Sequence, residues 1–197
     1  MKLLHIDSSI LGENAASRPL TAAIVKRLKS GIPGLDVAYR DLAAEPLPHL
    51  TLAHMPGGED TPSPDQAESL KTLEEFLAAE IVVIGAPMYN FTIPSQLKAW
   101  IDRVLIAGKT FRYTDKGSEG LAGGKRVIIA VSRGGLYGPG SPSESAEHVE
   151  SYLRSAMAFI GIDNPEFIIA EGLKLGPEQY DAALTGALKE AAELRAA

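Results

Sequence analysis

Residues 81–100 read IVVIGAPMYNFTIPSQLKAW, and the order of patterns within them decides the fold. From Ile81 to Ala86 the chain is apolar without a break, as in a strand buried on both faces and not in a half-exposed one. A few residues on, Leu97, Trp100, Ile101, Val104 and Leu105 fall at i, i+3, i+4, i+7 and i+8. That spacing predicts an amphipathic helix, ending at Gly108. The loop between the two should be polar, because loop backbone faces water. Instead it carries Met88, Tyr89, Asn90 and Phe91 between Pro87 and Pro94. Such a loop either packs beneath another part of the protein or forms the wall of a pocket.

The same alternation of strand and helix patterns extends in both directions. Apolar runs recur at 2–7 (KLLHID), 36–42 (DVAYRDL), 126–132 (RVIIAVS) and 166–172 (EFIIAEG). Between the first two, Leu20, Ala23, Ile24 and Leu28 share one helical face, and Gly31 with Pro33 ends that helix. A last helix from about Glu178 places Leu184, Leu188 and Leu194 on one side. Five strands interleaved with helices predict an α/β fold: a five-stranded parallel sheet, strand order 2-1-3-4-5, with helices on both faces and right-handed crossovers. The 197 residues contain no internal repeat and no low-complexity linker, so one domain over 1–197 is expected. The stretch from Ala43 to Gln66, rich in Pro, Gly and His, is a long excursion before the second helix, read as a lid, an interface element or a disordered loop.

Composition removes several classes of function. Without cysteine there is no disulfide framework, thiolate metal site or cysteine nucleophile. A net charge of −6 and the lack of a basic patch oppose nucleic-acid binding. The four histidines are scattered, with no metal-ligand spacing. Apolar runs are far shorter than the roughly 18–20 residues of a membrane span. An aspartate at position 7 interrupts any secretory segment, so a cytoplasmic location is expected.

In a doubly wound sheet, ligands bind beyond the carboxyl ends of the strands, and three unusual loops lie on that edge. The first, DSSILGENAASRPL at 7–20, leads into a helix with Ser17 as expected N-cap and Pro19 in the first turn. With the Ser8 and Ser9 hydroxyls it reads as a neutral anion cradle or as a plain strand-to-helix turn. The second is the apolar loop at 87–94. The third, SRGGLYGPGSP from Ser132, has Gly134 and Gly135, which let backbone N–H groups approach a ligand; a purely structural turn would look the same. A Walker A loop is absent, since AGKT at 107–110 has Arg103 where glycine is required, and neither GxGxxG nor GxSxG occurs. The edge thus offers a cradle but no reactive side chain, as expected where a bound cofactor brings the chemistry.

DSSILGENAASRPL, PMYNFTIPSQLKAWIDRVLIAGKTFRYT and VSRGGLYG resemble the three signature segments of the bacterial FMN-dependent NADH-azoreductases, also described as FMN-dependent NADH:quinone oxidoreductases. The resemblance covers nearly the whole chain, in order. It implies a flavodoxin-like fold and a homodimer with one non-covalent FMN per subunit at the interface. It also implies ping-pong transfer from NADH to quinones or aromatic azo compounds. Carried onto this sequence, Ser9, Ala15, Ala16 and Ser17 would hold the phosphate. Met88, Tyr89, Asn90 and Phe91 would contact the isoalloxazine and ribityl. Ser132, Arg133, Gly134 and Gly135 would close over the other side of the ring, and Tyr113 and Phe159 would wall the substrate space. Family members often have serine where this chain has Ala15, which removes one hydroxyl contact. The rival reading on the same fold is an FMN-binding electron carrier without NADH-dependent turnover.

Overall fold

The computed structural model describes residues 1–54 and 64–196. Five parallel strands, β1 (Lys2–Asp7), β2 (Asp36–Asp41), β3 (Ile81–Pro87), β6 (Arg126–Ser132) and β7 (Glu166–Ala170), form one sheet in the order β2-β1-β3-β6-β7. Counting only the strands of this sheet, that is the expected 2-1-3-4-5. Between β3 and β6 in sequence, β4 (Phe111–Thr114) and β5 (Gly117–Gly120) pair antiparallel as a separate hairpin.

The central strand β3 is buried at every position, yet its side chains still alternate. Val82, Ile84 and Ala86 join Val127, Ile129 and Val131 of β6 in one core with Phe76, Leu97, Trp100, Leu153 and Met157. These last five come from α2 (Pro64–Ala78), α3 (Ser95–Val104) and α4 (Glu150–Phe159). Ile81, Val83, Ile128 and Ala130 face the other way, against Leu20, Ile24 and Leu28 of α1 (Ser17–Gly31) and Ala187 and Ala191 of α5 (Pro177–Glu193). A continuous apolar run is what two cores on opposite faces of one strand require. Each fully buried leucine or isoleucine adds about 1.5–3 kcal/mol to that arrangement.

Two boundaries differ from the periodicity. Helix α3 stops at Val104 instead of running to Gly108. The Thr110 hydroxyl donates to the Val104 carbonyl (2.6 Å) and accepts the Ile106 N–H (3.0 Å), closing the turn that ends the helix. At the start of α1, Ser17 is the first helical residue and not the N-cap; Ala16 holds the cap position with helical dihedrals and offers no side-chain cap. Of the excursion at 43–66, residues 55–63 lie outside the described residues. Around them, Arg103 donates to the Pro48 carbonyl (2.7 Å), and His54 pairs with Asp65 at the start of α2.

Candidate functional site

The loops that follow β1, β3, β6 and β7 meet at the carboxyl edge of the sheet around a cavity of about 130 Å3. Each is tied to its neighbour by named contacts. Ser8 Oγ donates to the Gly85 carbonyl (2.6 Å), and the Ser9 hydroxyl shares a 2.8 Å hydrogen bond with the Tyr89 hydroxyl. Met88 N–H donates to the Ser132 carbonyl (2.8 Å), joining the second loop to the third.

Beneath the first loop, the strand glycine Gly85 leaves room for Asp7. A Cβ there would stand 2.8 Å from Asp7 Oδ1 and 3.1 Å from Thr21 Cγ2. Asp7 accepts hydrogen bonds from the hydroxyls of Thr21 (2.9 Å) and Tyr39 (3.1 Å), with His5 Nε2 at 3.6 Å. Burial pushes the Asp7 carboxyl up, but His5 and the two hydroxyls outweigh it and hold the group below its ordinary value. Burial and the charge of Asp7 in turn push Tyr39 up to about 12. Arg18 reaches from the first turn of α1 to Asp41 (2.6 Å).

The second loop is a two-residue hairpin turn. Tyr89 and Thr92 exchange both backbone hydrogen bonds (2.9 and 3.2 Å), and Asn90 and Phe91 sit at φ +47° and +75°. Positive φ at both central residues is the geometry such turns need. Asparagine tolerates it; for phenylalanine it stores strain, of order 1–3 kcal/mol. The turn leaves the Phe91 ring 53% exposed, edge-on to Tyr137 of the third loop at 6.4 Å.

In the third loop the carbonyls of Arg133, Gly134 and Gly135 all accept N–H groups from the loop after β7, those of Leu173 (3.1 Å), Lys174 (2.9 Å) and Gly172 (2.9 Å). Among the described residues, the N–H groups of Gly134 and Gly135 have no such partner. Arg133, a candidate for cofactor contact, is 1% exposed, and its guanidinium is spent on Glu150, Glu171 (3.4 Å) and Glu147 (3.7 Å). Arg133 also lines the cavity; these carboxylates take up its charge, and its Nε is left without a hydrogen-bond partner among the described residues.

Of the other residues singled out in the sequence, Ser9, Ala15, Ala16, Met88, Tyr89, Ser132 and Gly134 line the cavity. Asn90 lines an adjoining hollow of about 600 Å3 that shares Met88 and Tyr89 as a wall. Ser17, Phe91 and Gly135 line neither, although Ser17 directly follows Ala16, which lines the cavity. Tyr113 and Phe159 are elsewhere. Tyr113 is 75% exposed on β4, and both rings pack on Phe111 (5.4 and 4.5 Å). Phe159 ends α4, which returns the chain to the start of β7 and so lies toward the opposite edge.

Sequence reasoning missed Leu173, Lys174 and Tyr180, which close the cavity from the β7 side. The rule that placed the other three loops would have found them, since β7 ends on the same edge. A larger hollow, about 830 Å3, lies where the strands begin, between Ile81, Arg126, Glu166 and the end of α5. Size does not make it the site. Its Arg126 is already paired with Glu166 (2.7 Å), and no strand-to-helix loop at a carboxyl end reaches it.

One test that uses only side chains present supports an anion held beside the cavity. The Ser17 hydroxyl is fully buried and has no hydrogen-bond partner among the described residues. A buried orphan donor at an uncapped helix N-terminus is where an anion is held.

Comparison with known proteins points the same way. A family model described as Flavodoxin-like fold matches residues 1–194. The FMN-dependent NADH:quinone oxidoreductase of Methylorubrum extorquens is 63% identical over 203 residues, covering 100% of both chains. Among solved structures, an azoreductase from Bacillus anthracis superposes with a TM-score of 0.87 at 32% identity, covering 98% of this chain and 97% of that one. An FMN-dependent NADH-azoreductase from the same species, in complex with FMN, gives 0.86 at 26% identity, covering 98% and 96%.

Proposed function

Since the chain belongs to the flavodoxin-like FMN-dependent NADH:quinone oxidoreductases, we propose that it is a two-electron oxidoreductase that takes reducing equivalents from NADH and reduces quinones and aromatic azo compounds. The observation that carries this reading is the unpartnered Ser17 hydroxyl at the start of α1, beside a cavity whose other wall is Met88 and Tyr89. One FMN-binding domain spans the chain.

In this reading the first loop holds the phosphate. Ser9, the backbone N–H of Ala16 and the Ser17 hydroxyl would supply neutral donors, and the helix N-terminus a positive potential, while the Ala15 N–H is already taken by the Gly12 carbonyl (3.2 Å). Ala15 lacks the hydroxyl that a serine would add, a difference worth about 0.5–1.5 kcal/mol of affinity and without effect on which ligand is bound. Met88, Tyr89, Asn90 and Phe91 lie against the ring, and Ser132 to Gly135 cover its other side. The free N–H of Gly134, which lines the cavity, and that of Gly135 beside it would stabilise negative charge on a ring held there. FMN, when bound, supplies the hydride chemistry between NADH and the acceptor. The protein supplies orientation and one open hollow above Met88 and Tyr89, which donor and acceptor occupy in turn, as ping-pong order requires.

The protein acts as a homodimer with FMN at the interface. Tyr113 and Phe159 lie away from the cavity of their own chain, and a second copy would bring such aromatic side chains to the neighbouring site. The visible spectrum of protein freed of excess FMN, followed by anaerobic NADH titration, tests the function. Bound flavin that bleaches in one two-electron step and is reoxidised by benzoquinone supports it. Bound flavin that NADH cannot reduce supports an electron carrier, and failure to bind flavin on reconstitution overturns both. Sedimentation of the flavin-loaded protein tests the dimer.

A further inference from the structure

We propose that Arg133 is a positioning residue: together with Glu171 it imposes on the Gly134–Gly135 turn the shape that turns two free N–H groups toward the flavin ring. This rests on the flavin reading above and assigns to the Arg133 side chain a role other than ligand contact.

The need for such a device follows from the loop itself. Two consecutive glycines have no side chains to fix them and lose more conformational freedom on ordering than any other pair. Their shape must be imposed from outside. On the β7 side, three hydrogen bonds from Gly172, Leu173 and Lys174 take up the carbonyls of residues 133–135. At the two ends of the turn, Glu171 acts twice through one oxygen. Its Oε2 stands 3.4 Å from the Arg133 guanidinium and accepts the Tyr137 N–H at 3.0 Å. One carboxylate thereby clasps residues 133 and 137, and the glycines lie between them. A Cβ at Gly138 would stand 3.1 Å from Glu171 Oε1 and press on the same carboxylate.

Arg133 then anchors this clasp to the start of α4. Its guanidinium hydrogen-bonds Glu150, and Glu147 stands 3.7 Å away. Glu147 in turn caps α4 by accepting the N–H groups of Val149 (2.8 Å), Glu150 (2.9 Å) and Ser151 (3.1 Å). With Arg154 also 3.6 Å from Glu150, the cluster holds three carboxylates and two guanidinium groups and keeps a surplus of negative charge. A cluster of that sign disfavours a phosphate beside it, which argues for an arginine that holds the turn from behind.

The test compares FMN with riboflavin, which has the ring but no phosphate, by fluorescence titration of wild-type protein and the variants Glu171→Gln, Arg133→Lys and Arg133→Met. Glu171→Gln keeps an acceptor for Tyr137 and is the variant that retains the fold if Arg133→Met does not. The expected result is that Glu171→Gln and Arg133→Lys weaken FMN and riboflavin by the same factor, roughly threefold to tenfold, the range of one hydrogen bond. The bound-flavin spectrum should lose its resolved shoulders as the ring environment loosens. FMN weakened tenfold or more beyond riboflavin would mean that Arg133 touches the phosphate and would overturn the proposal. Unchanged affinities and spectrum with a lowered thermal midpoint would reduce Arg133 to a fold staple and overturn it equally. Wild-type protein that binds neither flavin overturns the functional reading itself, a result distinct from wild-type binding with insensitive variants.

Discussion

The first and third loops face each other across the same cavity and are held in opposite ways. The first is fixed by hydroxyls: Ser8 on the Gly85 carbonyl, Ser9 on Tyr89, Thr21 and Tyr39 on Asp7. The third is fixed by a buried ion cluster, with Arg133 among Glu147, Glu150 and Glu171. The difference follows from what each loop has to do. A loop that receives a phosphate keeps donors free at its rim, so hydroxyls shape it there, while its charged groups, Asp7 and Arg18, pair beneath with His5 and Asp41. A loop built on glycines carries no side chains to pack, so charges behind it do the shaping.

The largest expected effect tests the ion cluster. Arg133→Met takes the buried cation away from three half-buried carboxylates, of which, among the described residues, only Glu150 keeps another, Arg154 at 3.6 Å, and should cost about 3 kcal/mol of stability, the lower end for a broken buried pair, read by urea denaturation. No single hydroxyl removed from the first loop should approach that. Next comes the packing beneath the first loop. Gly85→Ala drives a methyl to within 2.8 Å of Asp7 Oδ1 and should cost about 1–3 kcal/mol. Ser17→Ala sharpens the contrast in the other direction, because its hydroxyl serves no partner among the described residues. FMN affinity should fall by about 0.5–1.5 kcal/mol, while the thermal midpoint of the flavin-free protein stays where it was.

Acid provides a milder probe. Burial pushes Glu147 up, but the N–H groups of Glu150, Ser151 and Val149 and the charge of Arg133 outweigh it, so its folded value lies below the ordinary 4.5. A depressed carboxylate contributes stability that is complete above its unfolded value and is lost as pH falls through the folded one. Wild-type stability should therefore decline below about pH 4.5, and Glu147→Gln should start lower and flatten part of that decline. Asp7 is depressed as well, so neither loop gains stability on acidification. Smallest of all is Tyr113→Ala: the side chain is 75% exposed, so stability should not change measurably, while the KM for benzoquinone should rise a few-fold if the ring serves a neighbouring subunit.

Most of the sheet was legible because burial on both faces writes itself as continuous apolar sequence. The runs at 2–7, 81–86 and 126–132 became β1, β3 and β6 with boundaries moved by at most one residue. The β4–β5 hairpin left no such mark, since all but Phe111 and Gly120 of its eight residues are exposed. At the site, glycines and misplaced aromatic residues betrayed three loops. Leu173 and Lys174 carry neither signal and act mainly through backbone N–H groups, which every residue except proline possesses. Arg133 was legible as a member of the loop but not as a buried cation, because its three partners are 14, 17 and 38 residues away in sequence and only the fold brings them together.

The left-handed turn at Asn90–Phe91 bears on how this protein would respond to directed evolution. Its strain belongs to the backbone, so Phe91→Gly should relieve it and survive any screen for thermal tolerance. A screen for turnover of flat acceptors would select against the same change, because it removes the ring that faces Tyr137. Two libraries built on one gene and sorted by these two criteria would part company at residue 91, and the frequency of glycine there would report which pressure had been applied.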